Sequence, residues 1–209
     1  MITLKNITEV YAGKIIFKNF SLIIPKGLSF IDSESNEKKD CLIDIILGHK
    51  KPDEGNVFFN NVVIPFSKYQ ELLTYRQNLG VFTGKSIVLL NNLNAYENII
   101  FFGEYLYKRS QKELYDKAIH YAGQFKIDNV LEKLPYEMTF DERQKTYFIM
   151  MLFKSPKVFI IDYDFGKLNL STDLISGIIK KEQELGVNFI LFGNRELRNA
   201  FDRKSEINI

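Results

Sequence analysis

The sequence predicts an α/β fold in which parallel strands alternate with helices and a helical segment is inserted. Three observations carry this. Val158-Phe159-Ile160-Ile161-Asp162 is a continuous apolar run ending in a carboxylate, the pattern of a strand buried on both faces. A helix expected at about 172–184, a turn at Gly186 and a strand at 187–192 repeat the strand–helix alternation. From about residue 84 to 135 the pattern turns helical: Leu114, Ala118, Tyr121, Ala122 and Phe125 fall at i, i+4, i+7, i+8 and i+11, on one apolar face.

The other elements follow in order. Residues 2–24 read as two or three short strands, with Ile2, Leu4 and Ile7 before a turn at Ala12-Gly13-Lys14. Pro25-Lys26-Gly27 is a turn and 28–31 a buried strand. From Cys41 to Leu47 the pattern is apolar and helical, closed by Gly48. Pro52-Asp53-Glu54-Gly55 turns the chain into a strand at 56–59, and Asn60-Asn61 turns it again into 62–64. Residues 79–82 form a further core strand. Thr139 followed by Glu142 fits a capping box opening a helix to about Lys154.

Composition narrows the classes. A chain of 209 residues with 45% hydrophobic content can bury a substantial core and suits one domain. The formal charge of +2, with bases scattered among acids, gives no reason to expect nucleic acid. Cys41 is the single cysteine, which rules out an internal disulfide and fits a reducing compartment. The start alternates like a strand rather than a signal segment, and no apolar run approaches the roughly 20 residues that span a bilayer. The expectation is a soluble cytoplasmic protein. His49 and His120 lack metal-ligand spacing.

The most informative stretch is 28–48, a strand, a polar loop with lysines, and an apolar helix. A phosphate-binding loop reads GxxxxGK[ST]: glycines let backbone N–H groups curl around phosphate, lysine reaches the terminal phosphates and the hydroxyl holds magnesium. The matching span is Ser33-Glu34-Ser35-Asn36-Glu37-Lys38-Lys39-Asp40. Lys39 keeps the lysine; Ser33 and Lys38 replace the glycines and Asp40 the hydroxyl. Alone, the span also reads as an ordinary solvated strand–helix turn.

Its neighbours come in a telling order: Tyr11 in an early hairpin, the loop, a helical insertion, Met138-Thr139-Phe140-Asp141-Glu142 opening a helix, then Asp162 at a strand end. Pro25-Lys26-Gly27, Gly48, Pro52, Gly55, Tyr96-Glu97-Asn98 and Pro156 frame them. Together they resemble the nucleotide-binding subunit of ABC transporters, nearest the compact branch of cell-division FtsE, lipoprotein-release and macrolide-export ATPases. The resemblance covers nearly the whole chain. It implies a phosphate-loop NTPase-like core, a mixed sheet with helices and an N-terminal antiparallel β part. It implies one domain over 1–209 with a helical subdomain at 85–135.

It also assigns roles. Tyr11 stands where the family stacks adenine, Ser33, Lys38, Lys39, Asp40 and Cys41 where it holds phosphate, and Asp162 where a carboxylate positions magnesium. Gly84 replaces the glutamine near magnesium and attacking water. Thr139, Phe140, Asp141 and Glu142, after Met138, replace the LSGGQ signature, so a helix cap is the competing reading. Tyr163 replaces the catalytic glutamate, and a phenol with a pKa of about 10 is no base near neutrality. Asp164 is a substitute only if the strand continues. Asn194 replaces the γ-phosphate-sensing histidine, and Arg195 has no counterpart.

Asp32, Glu34, Glu37 and Asp40 outnumber Lys38 and Lys39 in the loop. One like-charge contact at about 4 Å costs roughly 4 kcal/mol at an effective dielectric of about 20, against about 8 kcal/mol for micromolar binding. The resemblance therefore implies a degenerate subunit with no catalytic residue, binding ATP and Mg²⁺ weakly or not at all. Its expected partners are an integral membrane permease and a second nucleotide-binding subunit, as homodimer or heterodimer, on the cytoplasmic side of the inner (plasma) membrane. A working ATPase with drifted motifs and a nucleotide-independent adaptor are the alternatives.

Overall fold

A computed structural model describes all residues except 85–86, 106–109, 163–167, 194 and 203, with 195 and 196 described in their backbone only. The elements are β1 (Ile2–Tyr11), β2 (Lys14–Ile24), β3 (Leu28–Asp32), α1 (Asn36–Ile46), β4 (Glu54–Phe59), β5 (Val62–Val63), α2 (Tyr69–Gln77) and β6 (Leu79–Thr83). They continue with α3 (Ala95–Tyr105), α4 (Gln111–Phe125), α5 (Phe140–Phe153), β7 (Val158–Asp162), α6 (Thr172–Glu184), β8 (Asn188–Phe192), α7 (Arg195–Asn199) and β9 (Ser205–Asn208).

The two strand directions are segregated. An antiparallel sheet has the order β2-β1-β4-β5, and a parallel sheet has the order β6-β7-β8-β3-β9. Residues 2–24 make two long strands joined at Ala12-Gly13, both at positive φ. Asn60 and Asn61 turn β4 into β5 in the left-handed region that asparagine tolerates.

Alternation along the parallel strands divides the core. Phe159 and Ile161 of β7 face an apolar cluster with α3, α4, α5 and α6, while Val158 and Ile160 face one shared by α1, α2 and the antiparallel sheet. The predicted α4 face is the buried one: Leu114, Ala118, Tyr121, Ala122 and Phe125 are all within 1% of full burial. α5 is buried on all sides from Gln144 to Phe153. It lies between strands and the α3–α4 pair, so little of its surface meets solvent. No helix among the described residues is long and apolar enough to cross a membrane.

Two expectations need correction. α1 starts at Asn36, not at Cys41, because Ser35 caps a polar first turn that carries no apolar period. α2 was not foreseen, since only Leu72 and Tyr75 of its nine residues are buried. It caps the end of α1, with Tyr75 Oη donating to Ile46 O and Arg76 to the carbonyls of Leu47 and Gly48.

At the end of α5, Lys154 lies largely buried, donating to the Arg76 and Leu79 carbonyls, with Phe102 of α3 against its ammonium. Burial pushes its pKa down to about 8 from 10.5. Above about pH 8 the folded form is neutral while the unfolded chain keeps its proton to about 10.5. The unfolded state then binds more protons, so this group makes stability rise with pH across that window. The full change is about 3 kcal/mol at roughly 1.4 kcal/mol per pKa unit. Urea unfolding between pH 7 and 10 should show the rise in wild type and its loss in Lys154→Met.

Candidate functional site

The site assembles at the carboxyl ends of the parallel strands, where open α/β sheets place their ligands. β3 delivers the loop and β7 delivers Asp162, with β8 between them. Lys39 reaches across: its Nζ lies 3.0 Å from both Asp162 Oδ1 and Oδ2, and both side chains are about four-fifths buried.

The loop is short. Only Ser33, Glu34 and Ser35 separate β3 from α1. Ser33 Oγ donates to Ser35 O at 2.7 Å. Ser35, extended at φ −148°, caps α1 by accepting the Lys38 N–H at 3.2 Å, and Ser35 O accepts the Lys39 N–H at 3.1 Å. The Glu34 N–H donates to Ile209 O at 2.9 Å. Five of the eight residues that a phosphate-binding loop would use are thus helical. Glycine at 33 and 38 would have favoured the curled backbone; serine and lysine favour the cap and the helix.

The loop acids are met by bases. Asp32 takes Arg198 at 2.5 Å, Glu34 takes Lys38 at 2.7 Å and Glu37 takes Lys14 at 2.5 Å. The Lys38 hydrogen bond holds the Glu34 carboxyl below its ordinary range. Arg198 also stacks on Phe30 and approaches Glu206 of β9. The excess of acid counted along the sequence is therefore reduced by Arg198 and Lys14, which come from α7 and β2. Sequence reasoning missed both, and its only hint was the acid excess itself. Lys38 and Lys39 are spent inside the site.

Tyr11 is exposed (65%) rather than packed on the sheet, with the Lys50 ammonium 5.2 Å from its ring centre. Its register partner is Lys14, which binds Glu37 in the first turn of α1. Lys50 pairs with the buried Glu9. Cys41 lies in the second turn of α1, where burial pushes its thiol up to about 11, so it is not a reactive thiolate.

Residues 138–142 form the entry to α5. Thr139 Oγ1 accepts the Glu142 N–H at 3.2 Å and Glu142 accepts the Thr139 N–H at 2.7 Å, a complete capping box. Burial raises the Glu142 carboxyl, but the Thr139 and Lys133 hydrogen bonds outweigh it and leave the pKa below the ordinary value. Asp141 pairs with the buried Lys145 at 2.8 Å, and Phe140 is exposed (61%). Thr139→Ala should cost about 1 kcal/mol, read as a lower urea midpoint at unchanged m-value. Gly84 is exposed just after β6. Tyr163, Asp164 and Asn194 lie outside the described residues, as does the side chain of Arg195.

Residues 39–163 match the ABC transporter family. The maltose/maltodextrin import ATP-binding protein MalK of Vibrio vulnificus is 27% identical over 194 residues, 90% of this chain and 50% of that protein. The spermidine/putrescine import ATP-binding protein PotA of Clostridium acetobutylicum is 25% identical over 198 residues, 91% and 53% of the two chains. The chain spans about half the length of the curated relatives it matches. Among solved structures, a dimeric bacterial ABC transporter cassette superposes with TM-score 0.79 at 22% identity, covering 100% of this chain and 94% of that one. An ATP-binding subunit of an ABC transporter gives 0.80 at 16% identity, covering 99% and 85%.

Proposed function

The chain belongs to the ABC transporter family, and from that premise we propose that it is an ATP-binding-type subunit that has lost hydrolysis and serves its transporter as a coupling or scaffolding part. The observation that carries this reading is the Lys39–Asp162 ion pair. It joins the two side chains that a magnesium nucleotide would need separately. A triphosphate also needs free backbone donors, and the N–H groups of Glu34, Lys38 and Lys39 are already committed. In this arrangement the residues do not fit a triphosphate, which supports weak or absent binding of ATP and Mg²⁺. Asp162 is the carboxylate that would face the metal, and Tyr163 brings no base to the position after it.

The subunit would dock on the cytoplasmic face of a membrane permease of the FtsX or lipoprotein-release kind. It would pair there with a second nucleotide-binding subunit, identical or not. The groove between the core and the helical subdomain, around Gly84 to Tyr107, would take a coupling helix of the permease. Exposed Val88, Leu90 and Tyr105 supply apolar surface there. Residues 139–142, used here as a helix cap, would serve a partner's nucleotide site poorly.

A second reading has one specific observation in its favour. Lys39 and Asp162 still meet at the strand ends where a drifted ATPase would keep them. Turnover by the chain co-purified with its permease decides between the two. We expect release of phosphate from ATP at background, unchanged in Lys39→Ala. Turnover abolished by Lys39→Ala overturns the proposal.

A further inference from the structure

The opposite end of the parallel sheet holds a second, unrelated recess. A cleft of 510 Å³ opens where β3, β7 and β8 begin, against the β4–β5 turn and the end of α6. This volume is in the range of about 300–1,000 Å³ that small-molecule sites occupy. Lys26 and Lys157 line it together with Met1, Asn60 and Gln183, the Met1 amine donating to Asn60 Oδ1 at 3.0 Å, and no Asp or Glu lines it. Among the described residues neither lysine has a carboxylate within 4.0 Å, although the chain carries 26 acids.

The floor is tied down. Asn188 Oδ1 accepts the Gly27 N–H at 2.7 Å, and Asn188 Nδ2 donates to Lys157 O at 2.9 Å. One side chain therefore fixes the backbones that carry both lysines, and the cations are anchored at their Cα atoms on either side of β8. Val187 and Phe59 contribute an apolar wall. The C-terminal end of α6 adds a partial negative charge of about half a unit, which leaves the two lysines in excess. Two of its last carbonyls are in any case satisfied, with Gly186 donating to Gln183 O and Val187 to Glu182 O.

From the cleft, its acid-free lining and its two anchored cations, we infer that this recess binds a compact phosphate-bearing anion. The two ammonium groups match a dianionic phosphate, Gln183 offers further amide donors, and the Phe59–Val187 wall accepts the ester's organic end. The site does not involve Lys39 or Asp162, and its occupancy is independent of the nucleotide reading.

The test is a titration with inorganic pyrophosphate and with glycerol 3-phosphate at low ionic strength, followed by calorimetry and amide NMR shifts. Saturable binding is expected, with shifts at Gly27, Gly186 and Asn188. Affinity should fall at least about tenfold in Lys26→Glu/Lys157→Glu and in the milder Lys26→Gln/Lys157→Gln, and stay within about twofold in Lys39→Ala. Flotation with phosphatidic-acid vesicles separates the sources. Vesicle binding lost in the double variants, without binding of the soluble probes, assigns the phosphate to a lipid headgroup; binding of the soluble probes assigns it to solution. The inference is overturned if no probe saturates, if neither double variant weakens binding, or if the shifts fall on residues 33–40 and vanish in Lys39→Ala.

Discussion

Phe148→Ala should destabilise the protein by about 3–5 kcal/mol, a large share of the roughly 5–15 kcal/mol that holds a typical domain folded. Phe148 is fully buried on α5. Its ring meets Phe82 of β6 edge-on at 5.0 Å, Phe125 of α4 at 5.6 Å and Phe159 of β7 at 5.5 Å. Three elements thus close on one side chain, and none can collapse into the space without breaking another contact. The cost should therefore sit at the upper end of the aromatic-to-alanine range. Urea unfolding measures it directly, and a loss below about 1 kcal/mol would mean that this junction relaxes freely.

Gly55→Ala should cost about 3 kcal/mol or more for a different reason. Gly55, the second residue of β4, sits at φ +90°, a conformation that a side chain disfavours. An added Cβ would stand 2.5 Å from the carbonyl oxygens of both Lys5 and Asn6. These are backbone atoms of β1 at its bulge, with Asn6 itself at φ +54°, so they cannot rotate away as a side-chain tip would. Strain and overlap act together. The same urea experiment should place Gly55→Ala far below Gly84→Ala, whose Cβ meets nothing within 4 Å.

Much of the fold is legible in the sequence where local rules act alone. The α4 stripe, the Thr139–Glu142 box, the Asn60-Asn61 turn and the carboxylate ending β7 each follow from periodicity or turn chemistry within a few residues. The start of α1 was not legible by apolar period, since its first turn, Asn36-Glu37-Lys38-Lys39, is polar throughout. Ser35 followed by Lys38 was the available signal, a serine placed three residues before the N–H it accepts. α2 escaped because it buries two side chains and stabilises α1 through backbone carbonyls that leave no mark in the sequence.

The candidate site divides along the same line. Its residue types were readable, but its pairings were not, because they join distant positions. Lys39 and Asp162 are 123 residues apart, and Asp32 and Arg198 are 166 apart. Counting charges along 32–40 predicts a field hostile to phosphate. In the folded chain acids and bases pair instead, and no loop lysine among the described contacts is left without an anion.

On the proposed reading, the Lys39–Asp162 pair stands where a nucleotide would bind. Isothermal calorimetry with Mg-ATP titrated into the purified chain measures this most directly. No saturable heat is expected up to about millimolar nucleotide, equivalent to less than roughly 4 kcal/mol of binding, in wild type and in Lys39→Ala alike. Micromolar, stoichiometric binding that Lys39→Ala removes would contradict it.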